Sequence, residues 1–542
     1  MTKKPTLPFD PFAIAKATGD VAMSMAMRPQ DLMQVQMEAA KQWGDFWIGA
    51  LTGAEGEKPR DRRFASPEWQ DDAYYRGIRD AYLLASKQLR EMVSLGDGDD
   101  SALATSRFLL DQYLNAISPA NYAFTNPDVV KRTKETGGQN LVKGFQNLLE
   151  DLSSGKGIVK RRSNPDAFRK GETIAATPGE VVYQNDLFQL IQYTPTTEKV
   201  AAEPLLYVPP LVNRYYMIDL TPKQSFVRWL VGEGRTVFVI SWVNPTAAHK
   251  DKDVDDYVLE GIVEAIEVVR RRTGNAPDLF SFCLGGTLVA LALGYLAAAK
   301  RENYVNSATL IGSLVDFSDM RDWSAFVHEG HLAALEDHLE GQGFIDSVEL
   351  QRLFAAMRAN DLIWSSVIDH YLLDREAPAS DLLYWFEDGA RIPAAFLKSY
   401  NRKLLKDNRL QEPAGFTVGG VAIDLAKIKT PMMVIALKDD HVSAWEAVYR
   451  GARQMGADFV LGGSGHNAGV INPPDRNKHG YWSGGKLVED ANDWLAKATK
   501  HDGSWWPYWT VWLTKHGDGK LVTARAIKDG IEPAPGSYAM MP

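Results

Sequence analysis

The chain has a single cysteine among its 542 residues, and this scarcity excludes several classes of protein at once. One thiol cannot form an internal disulfide, and it cannot supply the cysteines of a structural zinc site. A long chain without disulfides is typical of a reducing compartment, so we expect a cytoplasmic protein. Residues 1–5 contain two lysines with no apolar core directly after them, so no signal peptide is predicted.

The chain has fewer basic than acidic residues. It also lacks an apolar run long enough to cross a membrane. Lys and Arg number 60 against 69 Asp and Glu, which gives a formal net charge of -9. A nucleic-acid-binding protein normally carries a basic surplus, so we expect no nucleic-acid partner. The longest apolar run, 284–299, is shorter than a membrane span and predicts a buried helix. Histidine and carboxylate spacings match no metal motif, and no phosphate-binding loop of the P-loop type occurs, so we expect no metal site.

What the sequence does contain divides into two parts, 1–170 and 171–542. The first part has apolar residues at helical spacing in 78–92, 102–116 and 139–152, which predicts a helical N-terminal domain followed by a polar linker at 153–164. In the second part short apolar runs alternate with helical segments, which is typical of a parallel sheet covered on both faces. The predicted strands are 205–208, 237–242, 279–282, 308–311, 432–437 and 458–461.

The alternation of strands and helices lapses between 311 and 432. The stretch from about 316 to 410 is helical, aromatic and charged, and an insertion at the C-terminal edge of a parallel sheet is a candidate lid. After His501, four tryptophans follow between 505 and 512, and such clusters serve packing more often than contact with a partner. We expect the Pro- and Gly-rich tail beyond them to be irregular.

Cys283 lies where a predicted strand runs into the long apolar helix, in the segment SFCLGGT (281–287). This is the context of a nucleophile elbow, whose pattern is G-x-nucleophile-x-G. Gly285 supplies the second small position, and Ser281 stands at the first. The helix N-terminus favours a thiolate at Cys283, and the N–H of Leu284 would face a developing oxyanion. A buried, inert cysteine is the alternative interpretation, but the flanking pattern favours a nucleophile.

Two later positions complete the order nucleophile, acid, histidine that this fold uses. Asp440 follows the strand 432–437 at its C-terminal end, where α/β proteins collect polar groups, although taken alone it fits a solvated loop acid better. His466 lies in a Gly-rich loop after the last predicted strand. His441 is the rival imidazole, but it adjoins the acid and is harder to aim at Cys283.

A second oxyanion donor is expected from the loop after an early strand, here 208–213. Pro209 and Pro210 have no N–H to donate. The N–H of Leu211 or Val212 is therefore the candidate.

These segments resemble those of the polyhydroxyalkanoate synthases. The elbow SFCLGGT is similar to that family's G-[YF]-C-x-G-G-T. Further matching segments are VPPLVNRYYMIDL (208–220), VISWVNP (239–245), YNRKLLKDNRL (400–410), SGHNAGVINPP (464–474), SPANYAFTNPDVV (118–130) and GSWWPYW (503–509). They lie in order over nearly the whole chain and most resemble the class I enzymes.

The resemblance implies an α/β-hydrolase fold with a helical N-terminal domain and a helical lid insertion at about 316–410. It implies polymerisation of (R)-3-hydroxyacyl-CoA, above all 3-hydroxybutyryl-CoA, into a polyester through a covalent cysteine thioester. Coenzyme A then belongs to the substrate, and no cofactor is expected. The family further implies a homodimer in the cytoplasm at the surface of polyester granules, where granule-associated proteins are additional partners.

The family's functional residues fall on matching positions of this sequence. The nucleophile falls on Cys283, the aspartate of the D-H-[IV] motif on Asp440, and the histidine of the S-G-H motif on His466. Arg402 matches an arginine of the lid region and would meet the phosphates of coenzyme A.

The sequence departs from the family pattern around these positions. The departures are Ser281 for glycine, Asn467 for isoleucine, Ser443 to Trp445 for a Pro-Trp pair, and Leu397 and Asn401 for histidine and leucine. Two alternatives therefore stay open: a thioesterase or polymer depolymerase on the same fold, and a non-catalytic granule-associated paralogue. The intact Cys-Asp-His set favours the polymerising acyltransferase.

Overall fold

The computed structural model describes residues 11–52, 61–96, 100–153, 158 and 162–542. Residues 1–5 and most of the predicted linker, 154–157 and 159–161, lie outside them. The chain divides into two compact units. The first consists of Met1–Pro165, Ser324–Ala334 and Gln351–Ser380, and the second of Asp166–Trp323, Leu335–Leu350 and Asp381–Pro542. Two segments of the predicted lid therefore belong to the first unit.

The described residues of the first unit form helices joined by loops, and no strand lies among them. Its N-terminal helices are α1 (Pro11–Ala26), α2 (Pro29–Thr52), α3 (Glu68–Asp71), α4 (Ala73–Ser94), α5 (Asp100–Ala116), α6 (Pro127–Thr136) and α7 (Gln139–Ser153). Local sequence sets their ends: α6 begins where the Asn126 side chain accepts the N–H groups of Asp128 and Val129, and it ends at Gly137 with φ 59°. The predicted helices at 102–116 and 139–152 are confirmed as α5 and α7.

The later α-helices carry the remaining predicted helical segments. They are α8 (Phe226–Gly232), α9 (Val254–Asp256), α10 (Glu264–Thr273), α11 (Leu284–Ala298), α12 (Glu329–Gln342), α13 (Ser347–Met357), α14 (Ser365–Val367), α15 (Asp381–Glu387), α16 (Ala394–Ser399), α17 (Trp445–Gln454), α18 (Ala491–Lys497), α19 (Trp506–His516) and α20 (Gly536–Met540). A π-helical turn, Tyr400–Lys406, continues α16. Among the described residues, no helix combines the length and apolarity that a membrane crossing needs.

The second unit is built on one large sheet. The strands of the chain are β1 (Gly179–Gln184), β2 (Phe188–Tyr193), β3 (Lys199–Ala201), β4 (Leu205–Val208), β5 (Val237–Trp242), β6 (Asp278–Phe282), β7 (Ser307–Ile311), β8 (Phe344–Ile345), β9 (Ile392–Pro393), β10 (Phe416–Val418), β11 (Val421–Ile423), β12 (Met432–Leu437), β13 (Asp458–Gly462), β14 (Tyr481–Ser483), β15 (Thr499–His501), β16 (Leu521–Thr523) and β17 (Glu532–Pro533). Eleven of them form the sheet in the order β15-β14-β13-β12-β7-β6-β4-β5-β2-β1-β17.

The centre of this sheet is parallel and its two sides are antiparallel. Strands β5, β4, β6, β7, β12 and β13 pair in parallel, and these are the six predicted strands. The expectation of a parallel sheet was incomplete, because β2 and β14 join it antiparallel and carry β1, β17 and β15 outward. The result is an α/β-hydrolase fold, with β6 leading into α11 at the centre of the sheet.

The apolar segments occupy the positions that their composition predicts. Nearly every residue of α11 is buried, which confirms the run 284–299 as a buried helix. The side chains of Trp505, Trp506 and Trp509 are buried in the core of the second unit, so the tryptophan cluster serves packing. The tail is not irregular throughout, because β16 and β17 pair with β3 and β1 through backbone hydrogen bonds that side-chain patterns do not reveal.

Candidate active site

The turn between β6 and α11 holds Cys283 in a left-handed backbone conformation, with φ 53° and ψ -130°. Such a conformation is unfavourable for an L residue and persists only where its surroundings enforce it. Here the Cys283 N–H donates to the Ile311 carbonyl at 2.9 Å, and the Cys283 carbonyl accepts the Gly286 N–H at 2.9 Å. The side chain keeps exposed surface at the N-terminus of α11. The strand, sharp turn and helix that the sequence predicts around Cys283 are all present.

Gly285 brings the loop after β4 against this turn. A Cβ at Gly285 would lie 2.4 Å from the Val208 carbonyl oxygen and 2.9 Å from the Pro209 carbonyl carbon, so only glycine fits. Leu211, one of the two predicted oxyanion donors, is buried on the same loop. Leu284, the other, is the first residue of α11. The two segments that carry these N–H groups therefore touch at Gly285.

Ser281 fits beneath the turn because its hydroxyl has a partner. The residue has no exposed surface, and Oγ donates to the Thr309 carbonyl of β7 at 3.1 Å. The departure from the family's glycine is thus accommodated by a hydrogen bond between neighbouring strands.

Asp440 and His466 are joined by a short hydrogen bond between buried side chains. The distance from His466 Nδ1 to Asp440 Oδ2 is 2.6 Å. The other carboxylate oxygen, Oδ1, accepts the backbone N–H groups of Val442 at 2.8 Å and Ser443 at 2.9 Å. Both oxygens are therefore bound, and the carboxylate has a fixed orientation towards the imidazole.

The charges around His466 favour its protonated form. Burial disfavours the imidazolium, but the Asp440 carboxylate and then Cys283, through its charge and a hydrogen bond, outweigh burial and raise the pKa of His466 from 6.5 to about 10. The structure thus brings Cys283, Asp440 and His466 together from the C-terminal ends of three parallel strands, as their order along the chain predicts.

Two residues that sequence reasoning missed support this group. The Phe282 ring lies 4.5 Å from the His466 ring, centroid to centroid. Gly312 has φ 56°, and a Cβ there would stand 3.4 Å from Asp440 Oδ2 and 3.5 Å from His466 Cε1. A glycine directly after the predicted strand 308–311 was the available signal. The rival imidazole, His441, lies 6.4 Å from the His466 ring, and Asp440 is bound to His466.

Arg402 forms a two-point ion pair with an acidic residue of α12. Its Nε lies 2.5 Å from Glu336 Oε1, and its Nη2 lies 2.9 Å from Glu336 Oε2. The arginine predicted to meet phosphates therefore makes the fork geometry that suits a carboxylate or a phosphate, with a carboxylate of this chain in that place.

Residues 60–230 match the family described as "Poly-beta-hydroxybutyrate polymerase (PhaC) N-terminus". The chain is 39% identical over 538 residues to the poly(3-hydroxyalkanoate) polymerase of Methylorubrum extorquens, covering 96% of this chain and 89% of that one. It is 38% identical over 533 residues to the poly(3-hydroxyalkanoate) polymerase subunit PhaC of Cupriavidus necator, covering 96% and 90%.

Solved structures with detectable similarity include an α/β fold family hydrolase from Bacillus anthracis, with 15% sequence identity and a TM-score of 0.34 over 54% of this chain and 94% of that one. Another is the monoacylglycerol lipase of Paleococcus ferrophilus, with 14% identity and a TM-score of 0.32 over 52% and 90%.

Proposed function

The chain belongs to the poly(3-hydroxyalkanoate) polymerase family, and from this premise we propose that it is a polyhydroxyalkanoate synthase acting on (R)-3-hydroxyacyl-CoA. The observation that carries the proposal is a hydrogen-bonded His466–Asp440 pair beside Cys283, in a chain 39% identical to a polymerase of this family over 538 residues. The proposed substrate is 3-hydroxybutyryl-CoA. A thioester is already activated for acyl transfer, so the proposed reaction uses no cofactor.

The first proposed step transfers the acyl group to the protein. His466 takes the proton of Cys283, and the thiolate attacks the thioester carbon of the substrate. The N–H groups of Leu284 and Leu211 would stabilise the oxyanion of the tetrahedral intermediate. The bond to the coenzyme sulfur then breaks, and the leaving thiolate takes the proton from His466. The products are coenzyme A and a hydroxyacyl thioester on Cys283.

The second proposed step lengthens the polyester. The 3-hydroxyl of another hydroxyacyl group attacks the thioester on Cys283, and His466 accepts the hydroxyl proton as the new ester forms. The Cys283 thiolate leaves and recovers that proton. Because both oxygens of Asp440 are already bound, one of them to His466, we propose that Asp440 acts through the imidazole by orienting it and stabilising its charge.

The remaining family properties are part of the same proposal. The protein would act as a homodimer in the cytoplasm, at the surface of the polyester granule and among granule-associated proteins. Arg402 would bind a phosphate of coenzyme A by exchanging the Glu336 carboxylate for it, since both anions fit the same two N–H donors.

The deciding experiment compares the protein with Cys283→Ala on (R)-3-hydroxybutyryl-CoA. Coenzyme A release is followed by chromatography and polymer is weighed. We expect release and insoluble polymer from the wild type, with both lost in the variant while its melting temperature is kept. Release with only free 3-hydroxybutyrate would instead indicate a thioesterase. No release, even with longer substrates, would indicate the non-catalytic paralogue.

A further inference from the structure

Tyr400 stands where α16 passes into the π-helical turn Tyr400–Lys406. Its ring stacks on the Phe396 ring at 5.8 Å with an interplanar angle of 14°, and it meets the edge of the Phe317 ring at 6.1 Å. Two aromatic neighbours on different sides fix the plane of the phenol and hence the direction of its hydroxyl. A π-helical turn within an α-helical segment is also a frequent feature of functional sites.

The segment that carries Phe317 also supports the turn at Cys283. The Ile311 carbonyl accepts the Cys283 N–H at 2.9 Å. Three residues further along, the Leu314 carbonyl accepts the hydroxyl of Thr287, in the first turn of α11, at 2.7 Å. Segment 311–317 is therefore fixed directly to the nucleophile's backbone.

The same segment is fixed to the chain that follows Tyr400. The Phe317 N–H donates to Asn408 Oδ1 at 2.9 Å, and the Val315 carbonyl accepts Gln411 Nε2 at 2.9 Å. Segment 311–317 thus contacts the turn at Cys283 on one side, and on the other it contacts the Tyr400 ring through Phe317 and the residues that follow the π-helical turn. Each of these hydrogen bonds has a backbone group of segment 311–317 as one partner, which holds Tyr400 and Cys283 against the same short segment.

The Tyr400 hydroxyl has a proton to give. Burial raises the pKa of Tyr400, and negative charge on the nearby Cys283 raises it further, so the phenol stays protonated over the working pH range. In the part of the chain that the structure describes, the hydroxyl has no hydrogen-bond partner. Tyr400 and Cys283 are both only partly buried, so neither residue is closed off from a ligand.

We propose that Tyr400 is a catalytic residue whose hydroxyl donates a hydrogen bond to the acyl oxygen of the thioester held at Cys283. The inference rests on the proposed function and adds a side-chain donor to the two backbone donors. The acyl oxygen gains negative charge on the way to the tetrahedral intermediate, so this hydrogen bond is stronger in the transition state than in the bound substrate. Tyr400 keeps its proton throughout, and no bond to it forms or breaks.

The test compares Tyr400→Phe with Tyr257→Phe. Tyr257 is a matched control, because its ring packs on the same Phe396 at 5.2 Å, whereas the shift in its pKa comes from burial and Asp256 and not from Cys283. We expect Tyr400→Phe to lower kcat for coenzyme A release by about 100-fold, the usual effect of losing an oxyanion donor. KM should change by less than about twofold, and Tyr257→Phe should keep both constants within about twofold.

A second measurement distinguishes loss of the Tyr400 hydrogen bond from a disturbed arrangement of Cys283 and His466. The rate at which iodoacetamide alkylates Cys283 reports the thiolate and His466 without any acyl oxygen, so it should be equal in the wild type and both variants. Unchanged coenzyme A release in Tyr400→Phe would overturn the inference and leave the proposed function standing. The inference would also be overturned if Tyr400→Phe lost alkylation together with coenzyme A release, or if Tyr257→Phe lost as much coenzyme A release as Tyr400→Phe. A wild type that is alkylated but releases no coenzyme A would contradict both the inference and the proposed function.

Discussion

At the scale of single residues, Ser281 illustrates what a polar atom costs beneath a catalytic turn. A buried hydroxyl without a partner costs about 1–3 kcal/mol. Ser281 avoids that cost because Oγ donates to the Thr309 carbonyl across the pair β6–β7. Serine is larger than the family's glycine at this position, but it adds a hydrogen bond between the two central strands β6 and β7.

We therefore expect Ser281→Gly to destabilise the protein without inactivating it. Loss of the hydrogen bond and the added backbone freedom of glycine together lower the free energy of unfolding by about 1–2.5 kcal/mol. Coenzyme A release should stay within about twofold, because the Cys283 N–H remains bound to Ile311. Urea unfolding measures the first effect, with Ser281→Ala as the control that removes only the hydroxyl. A glycine variant more stable than the wild type would show that the hydrogen bond contributes nothing.

The residues of the site were predictable to the extent that their positions follow from strand ends. Cys283, Asp440 and His466 each come after an apolar run, and parallel strands bring their C-terminal ends to one edge of a sheet. Tyr400 and Phe282 gave no such signal. Their relation to the site depends on ring packing between segments far apart in the sequence, which periodicity does not encode.

At the scale of elements, α11 contains two glycines in close contact with different parts of the protein, and only one of these contacts lies near the candidate site. A Cβ at Gly285 would press on the Val208 carbonyl oxygen at 2.4 Å, whereas one at Gly294 would press on Ile423 Cγ2 at 2.6 Å. The first contact lies on the loop that carries the proposed oxyanion donor. The second lies on β11, away from the turn.

Gly285→Ala and Gly294→Ala should therefore differ in activity more than in stability. Alanine gains up to about 1 kcal/mol of helix propensity, and overpacking costs about 1–3 kcal/mol, with the larger cost at Gly285 because its clash is with backbone atoms, so both variants should melt below the wild type. Only Gly285→Ala displaces the loop 208–213, and we expect its coenzyme A release to fall at least about tenfold, as on loss of an oxyanion donor. Melting curves and release rates check both points. Equal activities would argue against a role for this loop.

The central strands could be predicted and the flanking ones could not, for a physical reason visible in β2. Every residue of β2 is buried, yet Gln189 and Gln192 interrupt its apolar pattern. Gln189 donates to Gln184 on the neighbouring strand β1 and to Glu532 and Ser537, which lie 343 and 348 residues away in the sequence. A buried strand whose polar groups find distant partners looks like a loop when the sequence is considered alone.

At the scale of the whole molecule, long-range contacts decide which segments belong to each unit. The predicted boundary near 170 lies close to Pro165, where the first segment of the first unit ends. Segment 351–380 belongs to the first unit as well: Asn140 Nδ2 donates to the Leu372 carbonyl at 2.7 Å, and the Tyr371 hydroxyl to Asp151 at 2.6 Å. These pairs are more than 200 residues apart in sequence, so local patterns assign the segment to the insertion in which it lies.

The raised pKa of His466 should make the stability of the whole protein depend on pH. The pKa of His466 is raised from 6.5 to about 10, so protonated His466 stabilises the folded state fully below about pH 6.5, and this contribution is lost as pH rises towards 10. The melting temperature of the wild type should therefore exceed that of His466→Gln most at pH 6, with the difference shrinking up to pH 10. Thermal melts of both proteins across this range measure it, and a difference that grows with pH would contradict the raised pKa. In a Cys283→Ala background the difference at pH 6 should be smaller and should disappear at a lower pH, because one of the two groups that raise the pKa of His466 has been removed.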